Sequence, residues 1–217
     1  VETCACTGKK RYILDLGCGT GIVGVVASKL CANSEVSFSD MPSVQTIIAA
    51  NLNLNPDNGT GTDTAAEKNI VNFIPYDWTS TEGPPSSLIS PIVTDIDAHV
   101  DVDADISDKI LYWDTVFCSD LLYDENMHKP LMKLLHSIKC KRLVFGYKKR
   151  HPVAEKKFWN ELEKWCIIEV LSTTTSDSLS SSSSNGTISN SIDLVNCTKK
   201  MTLDGGGLFA VIAIPRF

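Results

Sequence analysis

Short apolar runs alternate along this chain with stretches whose apolar residues recur at helical spacing, and that alternation predicts most of its elements. Residues 12–16, 35–39, 69–75, 114–119, 142–147, 167–171 and 208–214 read as strands, each brief and bounded by polar or turn-forming residues. Residues 21–30, 41–52, 127–138 and 153–165 read as helices, the second with Pro42 in its first turn, where a missing N–H does no harm. Residues 53–67, rich in Gly, Asn and Thr, read as a loop. Strands alternating with helices define an α/β fold class, a mainly parallel sheet with helices on both faces.

Two segments break the pattern. Residues 79–109 are Pro- and Ser-rich and then acidic, with Ile96, Ala98, Val100, Val102, Ala104 and Ile106 alternating against Asp or His. That period suits an edge strand or hairpin arm on an acidic insertion. Asp101, Asp103 and Asp105 imitate the start of a calcium loop, but Ile106 stands where the sharp turn needs Gly and Tyr112 where the loop needs Glu. Residues 172–191 form a Ser/Thr tract too polar to bury a core, and read as a disordered loop between the last two strands.

Composition narrows the picture. A chain of 217 residues suits one domain, expected to span 1–217. A net charge of -6 and a pI near 5.2 argue against a polyelectrolyte-type nucleic-acid binder. No apolar run approaches the ~18 residues that span a bilayer, so no membrane is expected. The eight cysteines (Cys4, Cys6, Cys18, Cys31, Cys118, Cys140, Cys166, Cys197) contain no C-x-x-C pair and read as thiols of a reducing compartment, the cytoplasm or alternatively the nucleus. Cys4 and Cys6 lack a second ligand pair at zinc spacing, so no metal is expected. Opening at Val1 without a signal-peptide pattern, the chain reads as a fragment.

Chemistry concentrates in residues 13–22, ILDLGCGTGI, where an apolar strand meets Gly17, Gly19 and Gly21 and then an apolar helix. Glycines let the backbone turn sharply and bring a ligand against bare peptide groups and a helix N-terminus. Two cofactors compete for such a loop. Gly19, Gly21 and Gly24 also fit the dinucleotide spacing G-x-G-x-x-G, with Asp40 about 20 residues further on. Asp15, inside the strand, tips the reading, because D-L-G-C-G-T-G resembles motif I of the class I methyltransferases. There the acid helps hold the methionine end of S-adenosyl-L-methionine.

Three further stretches join the loop at strand carboxyl ends: Asp40, the pair Asp77 and Trp78, and Ser119 to Tyr123. A carboxylate at the first can accept ribose hydroxyls, and an indole at the second offers adenine a flat surface. With DLGCGTGIVG, SDMPSVQTIIAANLNLN, YDW and SDLLYDENMHKPLMKLL, the chain resembles methyltransferase family 16, seven-β-strand enzymes best known for methylating protein lysines. The likeness covers roughly residues 12–165. It implies a Rossmann-like sandwich with strand order 3-2-1-4-5-7-6, the seventh antiparallel. It assigns cofactor contacts to Gly17, Cys18, Gly19, Asp40, Trp78 and Ser119, and a substrate-side wall to Asp120 and Tyr123. It also implies a family segment ahead of motif I that is missing here, since only eleven residues precede Tyr12, and hence weak cofactor binding.

The expected reaction is methyl transfer to a lysine of a protein partner by an otherwise monomeric enzyme, an in-line displacement in which the protein aligns the acceptor and excludes water. Asp120 and Tyr123 are placed to orient the amine. Duller roles stand beside these: Asp40 as a helix N-cap ahead of Pro42, Trp78 as a cover for the core, Tyr123 as an aromatic at a strand end. Lys148, Lys149, Arg150 and His151 raise a nucleic-acid or other anionic substrate, opposed by the overall acidity, and suit an acidic protein surface equally well. A small-molecule acceptor, an NAD-dependent oxidoreductase and a non-catalytic scaffold complete the alternatives.

Overall fold

The computed structural model describes residues 10–31, 33–55, 72–91, 111–174 and 208–216. Alternation along β1 (Arg11–Leu16) sets the architecture: Leu14 and Leu16 enter one core cluster and Ile13 the other, so β1 is buried on both faces. Then come α1 (Ile22–Leu30), β2 (Ser34–Asp40), a 3-10 turn (Pro42–Val44), α2 (Gln45–Leu54), β3 (Asn72–Pro75), α3 (Ser86–Ile89) and β4 (Thr115–Ser119). A second 3-10 turn (Glu125–Met127), α4 (His128–Ser137), β5 (Leu143–Lys148), α5 (Pro152–Leu162), β6 (Cys166–Thr174) and β7 (Leu208–Pro215) complete the order.

The seven strands form one sheet in the order β3-β2-β1-β4-β5-β7-β6. All neighbours are parallel except β7, which runs antiparallel between β5 and β6. This is the order implied by the family likeness. Its functional consequence lies between β1 and β4, where the strand order reverses and a crevice opens beyond the carboxyl ends.

On one face, Leu131, Leu135, Phe158 and Leu162 of α4 and α5 meet Leu14, Val116, Leu143, Phe145 and Val211. In α4, Leu134 and Leu135 stand three and four residues after Leu131 and give a single apolar stripe. Each such buried leucine contributes roughly 1.5–3 kcal/mol. On the other face, Val25, Ala27 and Ile48 of α1 and α2 cover Ile13, Val36 and Phe38.

Several expectations shift. The helix expected at 41–52 starts later: Met41 is extended, Pro42 opens the 3-10 turn, and α2 begins at Gln45. The helix expected to reach 165 ends at Leu162. The segment from 79 is not all insertion, since Leu88 of α3 is fully buried and its carbonyl accepts a 3.0 Å bond from Trp113 Nε1. Ser172 to Thr174, placed in the polar tract, extend β6 along β7. The alternating acidic stretch, the remaining Ser/Thr tract, residues 69–71, and Cys4, Cys6 and Cys197 lie outside the described residues. Among the described residues, no helix is long and apolar enough to cross a membrane.

Candidate active site

One wall of the crevice is backbone. After β1 the chain turns through Gly17 and Gly19 at φ 62 and 53, in the left-handed region where a side chain is strained. Gly17 N and Cys18 N donate to Ser39 O at 2.7 and 3.1 Å, tying the loop to the end of β2. A Cβ on Gly17 would stand 2.9 Å from Trp78 Cη2 and nearer still to Leu121 Cδ2. A Cβ on Gly19 would meet nothing within 4 Å. The loop is thus closed over Gly17 and open at Gly19, the cradle a nucleotide-type ligand needs.

Gly24 has a different use. A Cβ there would run into the Phe38 ring, so the residue sets the approach of α1 to β2, and the dinucleotide spacing Gly19, Gly21, Gly24 ends in a packing contact. Gly21 is the N-cap of α1 at φ 77.

Asp15 lies beneath the loop, 1% exposed, with Oδ2 accepting from Gly24 N at 2.8 Å and Oδ1 buried without a hydrogen-bond partner among the described residues. Burial pushes its pKa up to about 7 against the Gly24 bond, and the charge of Asp40 adds to the rise. Cys18 turns its thiol into the core, and burial pushes it up to about 12. What this residue offers a ligand is its backbone.

Asp40 is not the helix cap. Its Oδ2 accepts from Gly19 N at 2.8 Å and its Oδ1 from Met41 N at 2.7 Å, so it braces the glycine loop from the end of β2. Asp77 is also engaged locally: its Oδ1 accepts from Thr79 N at 2.8 Å and Thr79 Oγ1 at 2.7 Å, bonds that hold its pKa below the usual carboxylate range. Trp78 is half-buried, packs on the larger core cluster and lies against Gly17, so core cover and cradle wall are one placement.

The opposite wall follows β4. Ser119, Asp120 and Tyr123 are exposed, whereas Leu121 and Leu122 are buried and anchor the turn. Asp120 adopts φ 55, and its N–H extends the β4–β5 pairing by donating to Gly146 O at 2.6 Å. Asp124 Oδ1 then receives Asn126 N at 2.9 Å and opens the 3-10 turn. Sequence reasoning missed the partner of this wall. Arg150 N–H groups reach Asp120 Oδ1 at 2.5 Å and Oδ2 at 2.9 Å, a bidentate pair that keeps the guanidinium protonated above its ordinary range. The cationic run was visible in the sequence, but nothing local joins Arg150 to a residue thirty positions earlier.

A separate apolar depression of about 340 Å³ is lined by Ile22, Val26, Leu30 and Phe117 among others, and by none of the crevice residues.

A Rossmann-like sheet with this switch point, glycine loop and strand-end acids defines a class I S-adenosylmethionine-dependent methyltransferase. The chain belongs to the lysine methyltransferase family, which matches residues 3–84 and 94–165. A stretch of 48 residues, 22% of the chain, is 42% identical to the ribosomal RNA large subunit methyltransferase G of Pseudoalteromonas translucida, of whose length it spans 12%. Among solved structures, the methyltransferase domain of bacterial CtHen1-CN matches with TM-score 0.54 at 10% identity, over 94% of this chain and 90% of that one. A TehB-like SAM-dependent methyltransferase from Corynebacterium glutamicum matches with TM-score 0.48 at 14% identity, over 96% and 82%. Membership of that family makes S-adenosylmethionine the cofactor, and the oxidoreductase alternative falls.

Proposed function

We propose that this enzyme transfers a methyl group from S-adenosylmethionine to a lysine side chain of a protein. The observation that carries the reading is the family match, which spans both walls of the crevice, the glycine loop and the Ser119 to Arg150 side.

When bound, S-adenosylmethionine supplies an electrophilic methyl group on its sulfonium. Gly17, the Cys18 backbone, Gly19 and Gly21 would form its cradle, with Asp15 beneath. Asp40 has acceptor capacity beyond its bonds to Gly19 and Met41 for ribose hydroxyls, and Trp78 offers adenine its ring. Asp77 shapes the turn that presents Trp78. Ser119, at the carboxyl end of β4, would lie beside the sulfonium. Asp120 and Tyr123 would orient the acceptor amine. A lysine with a reference pKa of ~10.4 must lose a proton before attack, and a dry channel favours that loss by disfavouring the ammonium.

The test is incubation with methyl-tritiated S-adenosylmethionine and a protein extract, followed by acid hydrolysis and amino-acid analysis. Label in methyllysine is the expected result. Label only in nucleic acid, removed by ribonuclease, would support the second reading, which the Lys148–Lys149 pair and the ribosomal RNA methyltransferase relative favour.

A further inference from the structure

The contact between the turn after β4 and the turn before α5 is more elaborate than a surface ion pair requires. Glu155, 0% exposed, accepts both Arg150 N and His151 N on Oε1 at 2.7 Å, so a buried carboxylate fixes the backbone that carries the arginine. From that anchored turn Arg150 grips both oxygens of Asp120, and Arg150 Nη1 also reaches Lys148 O at 3.3 Å. His151 Nε2 lies 3.1 Å from the carbonyl of Tyr123. Asp120 itself sits at φ 55, a conformation that persists in a non-glycine residue when its surroundings hold it. One clasp thus ties together both residues of the acceptor wall.

We propose that Arg150 is a positioning residue for methyl transfer: it fixes the Asp120 carboxylate and balances its charge, so that Asp120 orients the acceptor amine without retaining it as an ammonium ion. The proposal rests on the lysine reading above. A bare carboxylate beside a lysine favours its charged form, which cannot attack the methyl group. A guanidinium fork on the same carboxylate offsets that field and leaves oxygen lone pairs as hydrogen-bond acceptors for a neutral amine. The titratable groups on the elements that meet here are Lys148 and Tyr147 of β5, Lys149, His151 and Glu155 around the start of α5, and Tyr123 and Asp124 after β4. Arg150 stands between these groups and forms the ion pair with Asp120.

The experiment compares the natural chain with Arg150→Ala, Arg150→Lys and the double variant Arg150→Ala with Asp120→Asn. Tritium transfer to the proteins of the extract is followed against pH. Arg150→Ala should lower the rate at neutral pH about tenfold and move the rising limb about one pH unit upward, with KM for S-adenosylmethionine unchanged. Arg150→Lys keeps the charge but not the fork, and should hold the limb in place at a reduced rate. The double variant should return the limb to its natural position. A limb unmoved in Arg150→Ala would overturn the charge-balancing role. Amide hydrogen exchange at Asp120 to Tyr123, measured without substrate, should rise in Arg150→Ala, and no change there would overturn the positioning role. If the natural chain forms no methyllysine, the lysine reading fails, and charge balancing toward a lysine amine falls with it, whereas the exchange result still decides positioning.

Discussion

The two walls of the crevice are built by opposite means. The glycine-loop wall is backbone, shaped by left-handed glycines and held by main-chain bonds to the end of β2. The wall that follows β4 is side-chain charge, shaped by a carboxylate, a guanidinium and a buried glutamate contributed by three different segments. A wall of peptide groups suits a ligand common to a whole enzyme class, because it reads shape and hydrogen-bonding capacity. A wall of side chains can be altered one residue at a time, and so suits recognition of one particular partner.

That contrast can be tested, beginning with the acid under the loop. Asp15 has a folded-state pKa of about 7 against an ordinary 3.8, so the folded state binds the proton more tightly than the unfolded state. This stabilisation is full below pH 4 and is lost as pH rises to about 7, on the order of 4 kcal/mol in all. Urea melts of the ligand-free protein should show that decline, and Asp15→Asn should flatten it. An equal slope in the variant would assign the decline to another group.

Next in size is Gly17→Val, which adds left-handed strain and forces a side chain into Trp78 and Leu121, about 3 kcal/mol together. Thermal unfolding should fall by on the order of 10 °C, with no calorimetric signal for S-adenosylhomocysteine. Asp40→Ala removes charge-assisted bonds to Gly19 and Met41 and should weaken S-adenosylhomocysteine at least tenfold, with a smaller loss of stability. Smallest of all should be the effect of Tyr123→Ala on that affinity. Tyr123 is 51% exposed on the other wall, so S-adenosylhomocysteine binding should stay within about twofold while methyl transfer falls. A large loss of affinity there would merge the two walls.

The same contrast explains what could be read in advance. The loop is ten contiguous residues, and the glycine spacing announces its geometry. The strands were legible because burial on both faces leaves dense apolar runs, as in Tyr12 to Leu14 and Val116 to Cys118. Less legible was anything decided by a distant partner. Asp40 reads as a ribose ligand, with a cap ahead of Pro42 as its duller role, and nothing local shows that its carboxylate turns back to Gly19, twenty-one residues earlier. Cys18 sits in the motif, yet its sulfur belongs to the core. Leu88 gave no sign within a Pro- and Ser-rich stretch that it would be buried and its carbonyl bonded by Trp113. Arg150 read as one charge in a cationic run because its role depends on Glu155 anchoring the turn and on Asp120 across the sheet edge.

The bracing of Gly19 by Asp40 has a kinetic consequence. A loop already held in its binding shape has no slow isomerisation to complete before a ligand seats. Stopped-flow mixing with S-adenosylhomocysteine should therefore give a single phase whose rate rises linearly with ligand concentration, without the plateau that marks a rate-limiting rearrangement.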